Sequence, residues 1–277
     1  MKKLVFGLLV LLFVGVIGSV ILTKGDGGSP FKTVPLHEKQ IIDNKEIRNL
    51  DIHFSSSDVQ VLPSEDDNII LEVKGKVTER QKDKFKLDVE ENGENLEVKF
   101  ERLNLYFQMG VWIVDPTVMV YLPEKVYDTV NVHTSSGDID TKGLNARQIA
   151  LSVSSGVITA EDMEAEHSLL QTSSRDIYVT NVIGDITAST STGDIMIQND
   201  EASGNIMADV STGDVTVEYG ESPTSLLVNY QSSVGLGNVE LDGVNYEEKS
   251  NSKMIGMIGS GEYELNVDIV SGNFTLR

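Results

Sequence analysis

A five-residue phrase recurs along this chain at a nearly constant interval, and no other feature narrows the fold as far. It reads Ser135-Ser136-Gly137-Asp138-Ile139, Ser154-Ser155-Gly156-Val157-Ile158, Ser173-Ser174-Arg175-Asp176-Ile177, Ser191-Thr192-Gly193-Asp194-Ile195 and Ser211-Thr212-Gly213-Asp214-Val215. Its third residue falls at 137, 156, 175, 193 and 213, so the steps are 19, 19, 18 and 20 residues. A weaker echo, Gly184-Asp185-Ile186 and Gly204-Asn205-Ile206, lies between the phrases and splits the period into two strand-sized units.

Apolar residues alternate on both sides of each phrase. After it come Ile139 and Thr141, Ile158 and Ala160, Ile177 and Val179, Ile195 and Ile197, Val215 and Val217. Before it come Val132 and Thr134, Leu151 and Val153, Leu170 and Thr172, Ala188 and Thr190, Ala208 and Val210. Period two, β-branched enrichment and Gly/Ser/Asp punctuation mark strands. Equivalent residues return once per period on one face, so stacking each period as one coil is the economical structure. The expectation is an all-β, parallel β-solenoid with rungs about 4.8 Å apart. A β-sandwich also has short, regularly spaced strands, but it needs no common turn phrase with core columns in register.

The flanks are less regular. Ser55-Ser56-Ser57-Asp58-Val59 reads as a degenerate first copy after Leu50, Ile52 and Phe54. Phe85-Leu87-Val89 and Leu96-Val98-Phe100 flank Asn92-Gly93, a hairpin signal, and form an inserted hairpin or a cap. Leu265, Val267 and Ile269 lead into Ser271-Gly272-Asn273-Phe274, a final rung.

The N-terminus sets the expected topology. An uncharged, largely apolar run from Leu4 to Leu22 follows Lys2 and Lys3, and at helical rise it spans roughly 29 Å, close to a bilayer core. A cleaved signal peptide usually has a shorter apolar core and a small-x-small exit, which Ile21-Leu22-Thr23-Lys24 does not offer. Residues 1–23 therefore read as an uncleaved N-terminal transmembrane helix, with the N-terminus cytoplasmic and the remainder extracellular. Residues 24–47, rich in Gly and Pro at their start, read as a tether, and 48–277 as the repeat domain.

The Val118-Met119-Val120-Tyr121-Leu122-Pro123 strand, the Ser-Ser-Gly-Asp-Ile turns and the closing Val267 to Leu276 segment resemble a bacterial family of β-strand-repeat proteins called putative adhesins, a domain of unknown function. The similarity covers residues 48–277. With its single anchor the chain resembles the LiaG-type members, Gram-positive membrane proteins associated with cell-envelope stress regulators. The resemblance implies envelope or stress-signalling partners and brings no functional residues with it.

Chemistry is scarce. Acids outnumber bases 43 to 22, for a formal charge of −21, which argues against nucleic acid as a partner. There is no cysteine, so disulfides, thiol nucleophiles and lipid attachment through cysteine are excluded. His37, His53, His133 and His167 lack ligand spacing, and His133 alternates with Val132 and Thr134 as an outward strand residue. Ser250-Asn251-Ser252-Lys253 and Gly235-Leu236-Gly237 lack the motifs that would give them meaning. The aromatic group Tyr106, Phe107, Trp112 and Tyr121 reads as a core cap ahead of a ligand patch.

The recurring acids Asp138, Asp176, Asp194 and Asp214 have three competing readings: calcium binding, paired carboxylates acting on a polysaccharide, or backbone hydrogen bonding within the turn. The exceptions favour the turn. Val157 replaces one acid, and Asn273 and Asn205 replace others, keeping the hydrogen-bonding shape but losing the charge. The expectation is thus no enzyme, no catalytic or metal-binding residues and no cofactor. An extracellular binding or scaffold protein leads, with an envelope-polysaccharide enzyme or a calcium-dependent adhesion module as alternatives.

Overall fold

The columns of alternating residues converge on one core. Ile139, Ile158, Ile177, Ile195, Val215 and Phe274 are all essentially solvent-free, as are Leu151, Leu170, Ala188 and Ala208 facing them from the other side of the coil. Each fully buried aliphatic or aromatic side chain contributes about 1.5–3 kcal/mol, so a register slip, which would turn a whole strand's apolar set outward, is strongly disfavoured. The computed structural model describes residues 32–79, 85–102 and 116–277, apart from the side chains of 101 and 102. The expected anchor, and Tyr106, Phe107 and Trp112, lie outside the described residues. No helix among those residues is long and apolar enough to cross a membrane.

The N-terminal strands are β1 (Thr33–Ile42), β2 (Asn49–Phe54), β3 (Asp58–Ser64), β4 (Ile69–Thr78), β5 (Phe85–Asn92), β6 (Asn95–Arg102) and β7 (Thr117–Pro123). The regular array is β8 (Tyr127–Ser136), β9 (Ile139–Lys142), β10 (Asn145–Ser155), β11 (Ile158–Glu161), β12 (Glu164–Ser174), β13 (Ile177–Thr180), β14 (Ile183–Thr192), β15 (Ile195–Asn199), β16 (Ile206–Thr212) and β17 (Val215–Tyr219). Last come β18 (Leu226–Val234), β19 (Gly237–Val239), β20 (Asn245–Lys249), β21 (Lys253–Ile258), β22 (Tyr263–Ser271) and β23 (Phe274–Leu276).

Each coil gives one strand to either sheet. The sheets run β1-β4-β7-β3-β9-β11-β13-β15-β17-β23-β19 and β20-β21-β18-β22-β16-β14-β12-β10-β8-β2-β6-β5. From β8 to β17 the chain advances one rung per period in parallel register, with Leu151 beside Leu170 and Ile158 beside Ile177. The parallel solenoid expected from the repeat is therefore present, and the sandwich is not.

Both ends depart from simple succession. Coil β2–β3 sits between β6–β7 and β8–β9, so the first rung in sequence is second in space. Coil β22–β23 likewise inserts between β16–β17 and β18–β19. Antiparallel strands then cover most sheet ends: β4 and β1 beyond β7, β5 beyond β6, and β21 and β20 beyond β18. The Asn92-Gly93 hairpin is formed, with Gly93 at φ 60°, and it is both rung and cap. The terminal rung expected at Ser271–Phe274 is also formed.

One boundary needs correction. The sequence pattern places residues 24–47 in a tether and the start of the folded domain at 48. Instead Thr33–Ile42 forms β1, fully paired with β4, and Ile42 and Ile47 are buried. Val34, Leu36 and Ile42 lie among polar residues with weak alternation, and the partner strand supplies the order that the local pattern does not show.

Candidate functional site

The corner at which each coil passes between sheets holds the recurring acids, and the structure shows what they accept. The Asp138 backbone N–H donates to Asp58 Oδ1 at 2.9 Å, and the Val157 N–H to Asp138 Oδ1 at 2.8 Å. Further along, the Asp194 N–H donates to Asp176 Oδ1, the Asp214 N–H to Asp194 Oδ1, and the Asn273 N–H to Asp214 Oδ1, at 2.9, 2.8 and 2.7 Å. Asn273 Oδ1 in turn accepts from the Leu236 N–H at 3.1 Å. The expected backbone role is present, but the donor belongs to the neighbouring coil and not to the acid's own turn. The carboxylates are rivets between rungs.

The midway echo works the same way. Asp185 Oδ1 accepts from the Asn205 N–H at 2.9 Å, and Asn205 Oδ1 from the Glu264 N–H at 3.0 Å. Asn fills the role in both places because only an oxygen is required. Among the described residues the corner ladder is broken once, at Val157, whose side chain cannot accept from the rung above.

The same corner explains the glycines and the buried threonines. A Cβ on Gly213, at φ 144°, would fall on the Gly193 carbonyl far inside contact distance. Arg175 occupies the equivalent place at φ 137°. Thr172 Oγ1 donates to the Gly156 carbonyl at 3.0 Å and Thr190 Oγ1 to the Arg175 carbonyl at 3.1 Å. Buried hydroxyls in the pre-turn column are thereby satisfied, as burial of polar groups demands.

Away from the corner, the outer faces carry the remaining candidates. His53 and His133 lie directly opposite on β2 and β8, ring centroids 5.8 Å apart. His53 Nε2 lies 2.9 Å from Asp51 Oδ1, and His133 Nδ1 2.8 Å from Ser152 Oγ. His133 is thus outward, as expected, but its pairing with His53 was invisible over eighty residues. His37 meets Glu72 at 2.9 Å and His167 meets Asp185 at 3.4 Å. No group of three or more His, Asp or Glu side chains among the described residues converges as a metal site. Ser250 Oγ, from the Ser-x-x-Lys segment, accepts the Lys253 N–H and donates to its carbonyl, closing a local turn.

Two carboxylates stand apart. Asp140 is half-buried, and desolvation holds it above the ordinary carboxylate range, opposed by hydrogen bonds from Thr159 and Gln60. Asp209 is raised first by desolvation and then by the facing charge of Asp268 on the adjacent strand. Two adjoining depressions on the outer face of the β18-containing sheet, about 480 and 400 Å³, share Asp209 and Asp268. Sequence reading missed them because Asp209 and Asp268 are far apart in the chain and belong to no phrase.

The family described as Toastrack DUF4097 matches residues 47–183 and 154–277, segments that overlap because a repeat array aligns with itself when shifted by whole coils. No curated protein matches the chain. Similar solved structures include a putative cell adhesion protein from Clostridium sporogenes, 15% identical, covering 88% of this chain and 99% of that one at a TM-score of 0.38. A putative adhesin from Bacteroides fragilis is 14% identical, with coverages of 89% and 98% and a TM-score of 0.49. Another from Parabacteroides distasonis is 13% identical, with coverages of 91% and 98% and a TM-score of 0.34.

Proposed function

The chain belongs to the Toastrack DUF4097 family, and on that premise we propose that it is a membrane-anchored, extracellular, non-enzymatic binding or scaffold protein. In this reading the Leu4–Leu22 run behind Lys2 and Lys3 is the anchor. Its partners are envelope or envelope-stress signalling proteins, as for the LiaG-type members it resembles.

The observation that carries the non-enzymatic part is the employment of the repeated acids. Asp58, Asp138, Asp176, Asp194 and Asp214 each accept a backbone N–H from the next coil. Groups committed to holding rungs together are poor candidates for moving protons or ligating calcium. Asn273 makes the same bond without a charge.

Three measurements test the proposal. Protease added to intact cells should digest the β domain, and protection until lysis would overturn the orientation. The combined substitution Asp176→Asn, Asp194→Asn and Asp214→Asn should leave wall phenotypes intact. Loss of a wall phenotype with the fold retained would favour the polysaccharide enzyme, while a melting temperature raised by calcium over chelator would favour the calcium module.

A further inference from the structure

Rung stacking lines up outward side chains that are far apart in the chain. On the outer face of the β18-containing sheet, Ser152, Gln171, Ser189, Asp209, Asp268 and Gln231 form one unbroken column across β10, β12, β14, β16, β22 and β18. Every member carries a hydroxyl, an amide or a carboxylate. The neighbouring column passes through Leu169, Thr187, Met207, Asn266 and Asn229, in which Leu169 and Met207 are exposed. The two adjoining depressions lie over the C-terminal half of these columns. Ile255 lines one and Val270 the other.

Part of this surface is already ordered, and part is free. Gln231 Nε2 donates to Asp268 Oδ2 at 2.6 Å and Asn229 Nδ2 to Asn266 Oδ1 at 3.0 Å, which holds those side chains in place. The Asp209 carboxylate makes no hydrogen bond or ion pair among the described residues. Lys253, the basic residue lining the groove, is engaged with Glu248 at 2.6 Å.

We propose that this groove binds a neutral, hydroxyl-rich glycan chain laid along the solenoid axis. Rungs about 4.8 Å apart repeat at close to the length of one sugar residue, so successive rings can meet equivalent side chains. Carboxylates and amides suit vicinal hydroxyls, and Met207, Ile255 and Val270 offer apolar contact to the C–H faces. An anionic polymer is disfavoured by a chain charge of −21. A cation would find two carboxylates and, among the described residues, no third acidic or histidine ligand converging with them, short of what calcium takes.

This inference deepens the binding reading and is tested separately from it. The full-length chain, in a detergent without a sugar headgroup, is titrated calorimetrically with cellohexaose, chitohexaose and maltohexaose. At least one should bind. Asp268→Ala should weaken it about tenfold, the loss of one hydrogen bond to a charged acceptor. Met207→Glu, which touches no hydrogen bond in the groove, should abolish it, both variants melting like the parent. Asp194→Asn at the corner should bind normally. No binding to any of the three, or binding that survives both groove substitutions, would overturn the proposal. So would calcium chloride alone giving the Asp268-dependent heat. Protease digestion of intact cells reads orientation whatever the sugar result.

Discussion

Replacing Arg175 with glycine should stabilise the protein, and the size of the gain follows from its place in the corner column. Gly137, Gly193, Gly213 and Gly272 hold that place in other coils with φ between 118° and 152°, and Arg175 adopts 137° with a full side chain. A non-glycine residue held there costs of order 1–3 kcal/mol. The substitution relieves that strain but adds the freedom a glycine loses on folding, about 0.5–1 kcal/mol. Nothing else is lost, because the exposed guanidinium makes no hydrogen bond or ion pair among the described residues. Mid-range values of the two terms, about 2 and about 0.75 kcal/mol, leave a net gain of about 1 kcal/mol. Urea unfolding reads it directly: with m of about 2–3 kcal/mol/M, the midpoint should rise by about 0.3–0.5 M at unchanged m. The reverse change, Gly213→Ala, should lower the midpoint by more than Arg175→Gly raises it, since the Gly193 carbonyl has not made room for a Cβ. An unchanged or lowered midpoint in Arg175→Gly, or a neutral Gly213→Ala, would refute the idea that the corner requires glycine.

Other outcomes follow from the same geometry. Asp194→Asn should stay within about 0.5 kcal/mol of the parent in urea, because a weaker neutral acceptor is offset by relief of repulsion from Asp176 and Asp214. Asp194→Ala should be about 1 kcal/mol less stable than Asp194→Asn, having lost the rivet altogether. Val157→Asn should close the gap in the ladder and add about 0.5–1.5 kcal/mol, read as a higher urea midpoint. Asp140→Asn should raise the melting temperature at neutral pH. Desolvation raises the Asp140 pKa in the folded state, so its contribution is fully present below the unfolded-state pKa and is lost as pH rises through the folded value. The advantage of the asparagine should therefore shrink as the solution is acidified through the carboxylate range.

The architecture was legible where the repeat was regular. Ile139, Ile158, Ile177 and Ile195 announced their column by spacing alone, since each step returns a residue to the same face. The ends were less legible because alternation states which face a residue occupies and says nothing of which strand lies beside it. Hence β22 between β16 and β18, and β1 inside an expected tether, emerge only from pairing. For the corner acids the turn reading has the right kind of bond and the wrong partner, because a local turn and a neighbouring rung both demand an oxygen at that position. The Asp209–Asp268 groove and the His53–His133 pair depend wholly on stacking, so no local signal could reveal them.

The interleaving of the terminal coils has a consequence for length. At each end the outermost parallel rung is separated from the regular array by a coil from nearer the chain terminus, β2–β3 at one end and β22–β23 at the other, and neither arrangement refers to how many rungs lie between. The β8–β17 segment repeats one step, with the same buried columns and, except at Val157, the same rivets, so a coil could be added or removed there without disturbing either clasp. Each would change the distance between the ends by about 4.8 Å. The fold is in this sense a ruler with fixed end-stops, whose graduations are set by how many times the Ser-Ser-Gly-Asp phrase is written.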